Sequence, residues 1–355
     1  MRAIVIREPS GPDALVLEDN VAEPEQRAGE VLVQVRSVGV NFGLDTLVAR
    51  GAFGSLRASR WEVGPEITFP LTPGADIAGV VVDAGPGTGD FQAGDRVLSH
   101  FVFACGVCRY CRHGEDNVCV GSGYFGVHRN GGAAEFVSLP ARNLRRIPAH
   151  LSFSEAAVIP VSFAVAWNML VSLAAVKPAD WVLVMAAGSG IGVASIQIAK
   201  LHGARVIAAV GSAWKGERAT ELGADVVVDY GAGPIGDLVR EATGGNGADV
   251  VIHGGLDQES WDDIRGGIAN RGRIVVCGAL GSGRLELDLR NYYRHHFQML
   301  GALAAPLTAF HDVCDEFDAG RLKAVLHREL PLAQIRDAHK ILSDRSGFGK
   351  VVLTI

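Results

Sequence analysis

The sequence predicts an α/β protein in which a β-rich domain is followed by a doubly wound parallel-sheet domain. Two observations lead to this prediction. Short strands separated by Pro, Gly and Asp turns fill the first part of the chain, and apolar strands alternate with helices further on. A chain of 355 residues, 48% of them hydrophobic, is long enough for two domains with a sizeable core.

The strands of the first domain are predicted from short apolar runs between turn residues. Clusters such as Pro73-Gly74 and Gly85-Pro86-Gly87 are typical of turns and bound these runs. The predicted strands are 3–6, 30–40, 77–82, 96–98 and 134–139. A glycine-rich excursion at about residues 100–125 interrupts them, which indicates a separate lobe on a β-rich domain.

The sequence pattern changes at Trp181. From there on it predicts apolar strands, each followed by a turn and most by a helix. The predicted strands are 182–185, 206–210, 226–228, 250–252 and 274–277. This alternation is typical of a doubly wound parallel sheet. Predicted helices at 307–320 and 332–342 and a strand at 350–355 then return to a mixed pattern. The predicted domains are therefore 1–160 with 301–355, and 161–300.

The charge balance points to small molecules as partners. A net charge of −6 with scattered Lys and Arg argues against nucleic acid or an anionic membrane. The N-terminus has only a four-residue apolar run, so we expect no signal peptide and a cytoplasmic protein. Residues 156–176 are 21 residues without a charge, long enough to span a bilayer. Because Pro160 interrupts this stretch and Asn168 dilutes it, we expect a helix buried between the two domains.

Four cysteines inside the lobe have the spacing C-x2-C-x2-C-x7-C; they are Cys105, Cys108, Cys111 and Cys119. Four thiolates complete a tetrahedral Zn²⁺ and leave no position for water, so the spacing predicts a structural zinc site. Arg109 and Arg112 are placed to offset the negative charge of the thiolates. Two disulfides or four buried thiols are the alternatives, but six cysteines in all do not indicate a disulfide framework.

A glycine-rich turn follows the first strand of the second domain and precedes a helix at 193–201, which is the context of a dinucleotide-binding site. The helix N-terminus offers free N–H groups to a pyrophosphate. The predicted cofactor contacts here are Gly188, Ser189, Gly190, Ile191 and Gly192. The motif is imperfect, because a G-x-G-x-x-G frame ending at Gly192 has Ala187 and Ser189 at its first two glycine positions. A plain glycine-rich turn is the alternative.

The end of the next strand favours NADPH over NADH. An NAD site would place Asp or Glu there for the ribose 2′-hydroxyl, whereas residues 210–215 read V-G-S-A-W-K. Ser212 can donate a hydrogen bond to a 2′-phosphate, and Lys215 can supply a positive charge. The alternative is that Ser212 caps a helix and Lys215 is a solvated surface residue.

In the order of these features, the chain resembles the medium-chain dehydrogenase/reductase superfamily over essentially its whole length, and the quinone oxidoreductase branch in particular. The resemblance implies a GroES-like catalytic domain over 1–160 and 301–355 and a Rossmann domain over 161–300. It also implies that Gly211, Lys215 and Tyr230 contact the 2′-phosphate or adenosine, that Arg345 contacts the cofactor, and that a homodimer pairs the last Rossmann strands near 299–304.

The alcohol dehydrogenase branch of the same superfamily carries a second, catalytic zinc. Asn41, Ala75 and Val161 stand where the resemblance places its three ligands. Amide, methyl and isopropyl groups do not supply the nitrogen, thiolate or carboxylate donors that zinc needs. We therefore expect no catalytic zinc at these positions. Asp76, beside them, is expected to be a buried acid tied to a neighbouring cation.

Without a Lewis acid, the acceptor itself must spread the incoming charge, as a quinone or an α,β-unsaturated carbonyl does. The sequence thus predicts an NADPH-dependent reductase of such acceptors. Asn41 and Asp45 are the candidates for orienting the substrate; the alternative is that Asn41 caps a turn and Asp45 caps a helix. Tyr124 and His128 either donate protons or pack the lobe, and residues 51–69 are expected to border the pocket.

Two other functions remain open at this point. One is an alcohol or aldehyde dehydrogenase of the same superfamily, and the other is a non-catalytic NADPH-binding redox sensor. The number of zinc ions per chain distinguishes the alcohol dehydrogenase from the predicted reductase. An alcohol dehydrogenase of that branch binds two ions, and the predicted reductase binds one. Turnover of NADPH separates the second.

Overall fold

The computed structural model describes residues 1–52, 65–279 and 283–355, and these form two compact units. Unit 1 comprises Met1–Val161, Pro306–Asp318 and Lys323–Ile355. Unit 2 comprises Ser162–Ala305 and Ala319–Leu322. Of the segment 51–69 that was expected to border a pocket, residues 53–64 lie outside the described part of the chain.

The strands of the described residues are, in chain order, β1 (Ala3–Val5), β2 (Val16–Glu18), β3 (Glu30–Gly39), β4 (Asp76–Asp83), β5 (Arg96–Ser99), β6 (Val102–Phe103), β7 (Gly123–Tyr124), β8 (Phe136–Pro140), β9 (Leu144–Arg146), β10 (Trp181–Val184), β11 (Arg205–Val210), β12 (Val226–Asp229), β13 (Ala248–His253), β14 (Ile268–Val276), β15 (Gln298–Gly301), β16 (Leu326–Pro331) and β17 (Lys350–Thr354).

The α-helices of the same residues are α1 (Leu47–Ala49), α2 (Arg109–Arg112), α3 (Phe153–Ala156), α4 (Ala164–Trp167), α5 (Gly190–Leu201), α6 (Ala213–Glu221), α7 (Ile235–Ala242), α8 (Gln258–Ile264), α9 (Leu289–Arg294), α10 (Leu307–Asp318) and α11 (Ile335–Ser343). Shorter 3-10 turns are Pro12–Ala14, Asp116–Val118, Ala141–Asn143, Arg265–Gly267 and Leu332–Gln334, and π-helical turns are Phe42–Thr46, Ile159–Phe163 and Asn168–Leu173.

Unit 1 is built on a mostly antiparallel sheet in the order β16-β17-β3-β4-β5-β9, with β8 also paired to β3. Along β3, Val31, Val33 and Val35 alternate into the core while the residues between them are partly exposed, as expected for a strand with one buried face. Gly39 at the end of β3 lies opposite Asp76 of β4 and Val352 of β17. The ends of three neighbouring strands therefore meet around residue 39.

Unit 2 contains a parallel sheet in the order β12-β11-β10-β13-β14-β15, which confirms the predicted doubly wound fold. Central strands of such sheets are buried on both faces, and β10 accordingly reads as an uninterrupted apolar run. The strand order reverses between β10 and β13, where ligands of open α/β sheets bind at the carboxyl ends of the strands. The glycine-rich turn after β10 lies at this place.

Several short strands were not predicted from the sequence. β2 and β16 are largely exposed, so neither shows a clear alternation of buried and exposed residues. β16 is held by its parallel pairing with β17, which lies more than a dozen residues further along the chain. Whether such a segment forms a strand depends on its pairing partner and not on its own hydrophobicity.

Most of the uncharged stretch 156–176 lies in a helical segment, Phe153–Leu173, that is long and apolar enough to cross a membrane by length and composition. In the structure, 83% of its most apolar window is buried. Burial of this kind is typical of a core helix. A π-helical turn contains Pro160, whose missing N–H removes one hydrogen bond from the segment.

Candidate active site and metal centre

A buried polar cluster lies where β3, β4 and β17 end or begin. Its side chains are Asn41, Asp45, Asp76 and Lys350, and we call it the Asp76 cluster. Asp76 is the first residue of β4 and Lys350 the first residue of β17, on either side of Gly39. A Cβ at position 39 would lie 2.9 Å from both Asp76 Cβ and Lys350 Cε, so glycine leaves the room that these two side chains need.

The carboxylate of Asp76 is the centre of this cluster. Its Oδ2 lies 2.6 Å from Lys350 Nζ and accepts a 3.0 Å hydrogen bond from Asn41 Nδ2. Its Oδ1 accepts a 2.6 Å bond from the backbone N–H of Val161. The expectation that Asp76 is a buried acid tied to a cation is confirmed, and the cation is Lys350. Burial raises the pKa of Asp76, and the Lys350 ammonium opposes this rise.

Asn41 follows β3 and has its amide oriented by two charged neighbours. Lys350 Nζ donates to Asn41 Oδ1 at 2.5 Å, and Asn41 Nδ2 donates to Asp76 and, over 3.4 Å, to the carbonyl of Gly39. Asn41 precedes the π-helical turn but its side chain forms no cap hydrogen bond. The capping alternative for Asn41 is therefore not what the structure shows.

Asp45 lies within the π-helical turn and is 2% exposed. Its Oδ2 accepts a 2.7 Å bond from the backbone N–H of Asn41, and its Oδ1 accepts a 3.1 Å bond from Gly74 N–H. Burial raises the pKa of Asp45 to about 6, against the lowering effect of these two N–H donors. Both carboxylate oxygens are engaged inside the protein, so the structure favours a structural role for Asp45 over contact with a substrate.

The three positions that would hold a catalytic zinc are close together in unit 1 but do not supply ligands. Ala75 offers a buried methyl group, Val161 offers its backbone N–H to Asp76, and the Asn41 amide is held by Lys350 and Asp76. Within the described residues, one group of three or more His, Cys, Asp or Glu side chains has ligand atoms close enough for a metal ion, and it is the cysteine set of the lobe.

The four cysteine sulfurs of the lobe lie within 4.8 Å of one another. The distance between the sulfur atoms is 3.9 Å for Cys105 and Cys111, 3.5 Å for Cys108 and Cys111, and 3.5 Å for Cys119 and Cys105. A tetrahedral ion with Zn–S bonds of about 2.3 Å separates its sulfurs by roughly 3.8 Å. Both the donor set and the spacing therefore fit a structural zinc ion with no open position.

Backbone N–H groups and an arginine surround this sulfur cluster. Cys108 N–H donates to Cys105 Sγ at 3.4 Å and Gly121 N–H donates to Cys119 Sγ at 3.3 Å, and such hydrogen bonds orient thiolates that bind a metal. Of the arginines expected to offset the charge, Arg109 lies over the Tyr110 ring at 4.5 Å. Arg142, which the sequence did not single out, donates to the Ala104 carbonyl beside the lobe.

The lobe also contacts helix α10. Asp116, between the third and fourth cysteines, accepts a 2.9 Å bond through Oδ1 from the backbone N–H of Leu307, the first residue of α10. A carboxylate at a helix N-terminus satisfies a free N–H and interacts favourably with the helix dipole. His100 stacks on Phe310 of the same helix with 5.2 Å between ring centroids. The lobe thus holds one end of α10.

The glycine-rich turn of unit 2 joins β10 to α5. Ser189 is the N-cap of α5, and its side chain accepts a 3.0 Å bond from Gly192 N–H. A Cβ at Gly192 would lie 2.5 Å from the Ala186 carbonyl, so only glycine permits this approach of helix and turn. Ala186 has a positive φ of 49°, a conformation uncommon for residues other than glycine. A dinucleotide-binding turn requires a tight turn at a helix N-terminus with a glycine where helix and turn approach each other.

Tyr230 anchors this turn. Its hydroxyl accepts a 2.6 Å bond from Ala186 N–H and donates to the Ala209 carbonyl at 3.2 Å. This link between the ends of β11 and β12 and the turn was not expected, because the resemblance implied only a cofactor contact for Tyr230. The Tyr230 side chain is 42% exposed. Its contact with adenosine stays a prediction.

The residues expected to read the 2′-phosphate lie at the carboxyl end of β11. β11 ends at Val210, Gly211 and Ser212 follow, and Lys215 lies in the first turn of α6 over the Trp214 ring at 5.5 Å. Ser212 is the N-cap residue of α6, but its side chain makes no cap hydrogen bond. The helix-capping alternative for its hydroxyl is therefore not realised.

The remaining candidates are spread over unit 1. Tyr124 is buried, which raises its pKa to about 12, and its backbone N–H donates to His128 Nδ1 at 3.0 Å. Both residues thus pack within the lobe region. Arg345 lies in unit 1 with a positive φ of 50°, in the exposed turn after α11. Its contact to a cofactor stays a prediction.

Comparisons with known proteins agree with this architecture. Residues 27–149 match the alcohol dehydrogenase GroES-like domain, and residues 190–318 match the zinc-binding dehydrogenase family. A quinone oxidoreductase of Rattus norvegicus is 27% identical over the whole chain and 98% of that protein. An NAD-dependent alcohol dehydrogenase of Sulfolobus acidocaldarius is 31% identical over the whole of both chains.

Among solved structures, the crystal structure of an NAD-dependent alcohol dehydrogenase superposes with a TM-score of 0.92, at 40% identity and with full coverage of both chains. Relatives named as quinone oxidoreductases and relatives named as alcohol dehydrogenases both match the whole chain. The two domain matches and the full-length similarity show that this chain is an oxidoreductase of the medium-chain dehydrogenase/reductase superfamily, of the zinc-binding dehydrogenase-like type.

Proposed function

We propose that the chain is an NADPH-dependent oxidoreductase that transfers a hydride to a quinone or an α,β-unsaturated carbonyl without a catalytic zinc. The observation that carries the proposal is the Asp76 cluster. It joins Asn41, Asp76 and the Val161 backbone through hydrogen bonds, at the positions where metal ligands would be needed. An amide, a methyl and an isopropyl group offer no suitable donors.

A bound nicotinamide cofactor supplies the hydride, and the residues of the chain bind and orient. The α5 N-terminus and the turn at 188–192 would hold the pyrophosphate through backbone N–H groups. Conjugated acceptors delocalise the incoming charge, so they require orientation and one or two hydrogen-bond donors instead of a Lewis acid. Asn41 is the donor that we assign, whereas Asp45 accepts hydrogen bonds from the backbone N–H groups of Asn41 and Gly74.

The preference for NADPH is supported by the residues after β11. No Asp or Glu lies at 211–215, where a carboxylate would accept a hydrogen bond from a ribose 2′-hydroxyl and would repel a 2′-phosphate. Ser212 and Lys215 offer a hydroxyl and an ammonium instead. The name of the Sulfolobus acidocaldarius relative makes NAD-dependent alcohol oxidation the second candidate function.

A panel of substrates tests the proposal. Purified protein is assayed with NADPH and NADH against polycyclic quinones and enones, and with NADP⁺ and NAD⁺ against primary and secondary alcohols. We expect turnover of quinones or enones with NADPH and little oxidation of alcohols. Efficient alcohol oxidation with NAD⁺ would establish the second candidate instead. NADPH binding without turnover of any substrate would support a redox sensor.

We further propose a cytoplasmic homodimer that pairs the β15 strands of two chains. β15 is an edge strand of the unit 2 sheet within the described residues. Leu289 and Tyr293, one helical turn apart on α9, which precedes β15 in the chain, are 68% and 63% exposed. Exposed apolar side chains of this kind are typical of an interface. Light scattering should give twice the mass of one chain; the mass of a single chain would contradict the dimer.

A further inference from the structure

Three side chains of the Asp76 cluster form a closed ring. Lys350 Nζ donates to Asn41 Oδ1 at 2.5 Å and lies 2.6 Å from Asp76 Oδ2, and Asn41 Nδ2 donates to the same oxygen at 3.0 Å. Asn41, Lys350 and Asp76 are 8%, 4% and 0% exposed. Water therefore does not compete for these bonds, and each member is held by the other two.

The ring fixes which way the Asn41 amide points. An ammonium only donates hydrogen bonds and a carboxylate only accepts them, so Oδ1 must face Lys350 and Nδ2 must face Asp76. The ammonium draws electron density toward Oδ1, so the N–H groups of Nδ2 become better donors. The carboxylate accepts one of these N–H groups and thereby fixes the direction in which the second one points.

The second N–H of Asn41 is the one that can be offered to a ligand. Its bond to the Gly39 carbonyl is 3.4 Å long, beyond the 2.7–3.2 Å of a typical N–H···O bond in proteins. A stronger acceptor can replace this weak partner, whereas the short bonds of the ring keep the amide in place. Asp45 does not compete for this N–H. Its carboxylate already accepts hydrogen bonds from the backbone N–H groups of Asn41 and Gly74.

We propose that Lys350 and Asp76 are positioning residues, which hold and polarise the Asn41 amide as the hydrogen-bond donor to the carbonyl oxygen of the acceptor. This inference rests on the proposed reductase function. An ion pair acting through an amide would then provide part of the electrophilic assistance that a metal ion provides in a zinc-dependent site. The charges of the pair balance each other, so they can be buried together.

The Asn41 amide would assist the addition of a hydride to the enone. The hydride and its electron pair add to the β-carbon of the enone, the C=C π electrons shift, and negative charge collects on the carbonyl oxygen as an enolate. NADPH is oxidised to NADP⁺ in the same step. A proton from water then adds to the α-carbon and restores the carbonyl. A donor aimed at the oxygen stabilises the charge that develops there in the transition state.

The test uses a series of para-substituted benzylideneacetones, in which the substituent varies the electron demand of the enone while its shape changes little. Turnover with NADPH is measured for wild type, Asn41→Ala, Lys350→Met and the double variant Asp76→Asn/Lys350→Met. Binding of NADPH is followed separately by fluorescence titration. Lys340→Met, which removes an exposed lysine of the same unit, is the control.

We expect Asn41→Ala to lower kcat by roughly 100-fold, as loss of one donor at a developing oxyanion does. Lys350→Met and the double variant should lower kcat by about 10-fold, since the amide remains but loses its orientation and polarisation. In all three, the dependence of kcat on the substituent should become steeper, because the substrate must then carry more of the charge itself. The affinity for NADPH should change by less than about 2-fold, and Lys340→Met should match wild type.

Two results would overturn the inference while leaving the reductase function intact. One is an Asn41→Ala variant that turns over enones at the wild-type rate. The other is a uniform loss of rate across the series in the Lys350 variants, with unchanged slope, which shows structural damage alone. If Lys350→Met does not fold, the double variant, which buries no unpaired charge, decides between these outcomes. If wild type reduces neither enones nor quinones, the proposed function itself fails; if it reduces quinones alone, the same variants are compared on a series of substituted benzoquinones.

Discussion

Lys350 Nζ lies 2.6 Å from Asp76 Oδ2, and this ion pair joins the first residues of two strands from opposite ends of the chain. Both side chains are at least 96% buried. Burying a charge without its partner is costly, whereas a neutral pair of similar volume is tolerated. The pair therefore affects stability in a way that depends on which member is removed.

We expect Lys350→Met to lower the free energy of unfolding by about 3–5 kcal/mol, because it leaves the Asp76 carboxylate buried without its cation. Asp76→Asn/Lys350→Met should lower it by less than Lys350→Met does alone. Urea unfolding of the single and double variants measures both values. Asp76→Asn alone completes the cycle; if the double variant loses the sum of the effects of Asp76→Asn and Lys350→Met, the two side chains do not act as a pair.

The cysteine lobe should contain one zinc ion per chain. Elemental analysis of the purified protein measures the content, and Cys111→Ser should reduce both zinc and thermal stability. Cys277→Ser, outside the lobe, is the control and should retain the ion. Because Asp116 holds the first residue of α10, removal of zinc should also raise amide hydrogen exchange at the start of α10. Two zinc ions per chain would contradict the proposed metal-free active site.

The residues after β11 should discriminate between the two nicotinamide cofactors. Lys215→Ala removes the proposed charged partner of the 2′-phosphate, a contact of about 1.5–3 kcal/mol, so NADPH binding should weaken at least about 10-fold. Ser212→Asp should weaken NADPH binding further and spare NADH, since only NADPH carries the phosphate. Fluorescence titration with both cofactors measures this, and Arg218→Ala on the same helix is the control. Equal losses for NADPH and NADH would argue against a 2′-phosphate site.

Gly192 should not tolerate a side chain. In Gly192→Ala the added methyl group would lie 2.5 Å from the Ala186 carbonyl, so the turn or the helix must shift. We expect at least about a 10-fold loss of affinity for NADPH, and a free energy of unfolding lower by about 1–3 kcal/mol because of overpacking. Gly266→Ala, where nothing lies within 4 Å of the new atom, should leave both unchanged. Cofactor binding by Gly192→Ala at the wild-type level would place the pyrophosphate elsewhere.

Stability should fall as the pH drops from about 6.5 to about 4. Burial lowers the pKa of His253 and of His339 to about 4, from the ordinary 6.5. The unfolded chain therefore binds these protons first, which favours unfolding in this window; each histidine accounts for at most about 3 kcal/mol. Asp45, with its pKa raised to about 6, acts in the opposite direction, because its proton binds to the folded state first.

His339→Gln separates these contributions. His339 Nδ1 lies 2.7 Å from Thr46 Oγ1, a contact that a glutamine can also make. Urea unfolding at pH 5.0 and 7.5 should show a smaller difference between the two pH values in His339→Gln than in wild type. The exposed His150→Gln serves as the control. An unchanged difference in His339→Gln would mean that this histidine is not the source of the acid sensitivity.

Features that depend on local spacing were predicted well from the sequence. The strands around the glycine-rich turn are central strands of a parallel sheet, so they read as apolar runs regardless of their partners. The four cysteines lie within 15 consecutive residues, so their spacing already implied that the sulfurs meet. By contrast, β16 depends on its pairing with β17, and Tyr230 is joined to the turn from two strands away.

The sequence by itself determined the fold class, the spacing of the four cysteines, the glycine-rich turn and the lack of zinc donors at positions 41, 75 and 161, because each depends on residue type within short segments. It also implied that Asp76 has a cation partner, but it did not identify Lys350, a single lysine at the start of an apolar strand. Only the tertiary structure decided that, since strand pairing places Gly39 between Asp76 and the closing strand, where a missing Cβ leaves room for the pair.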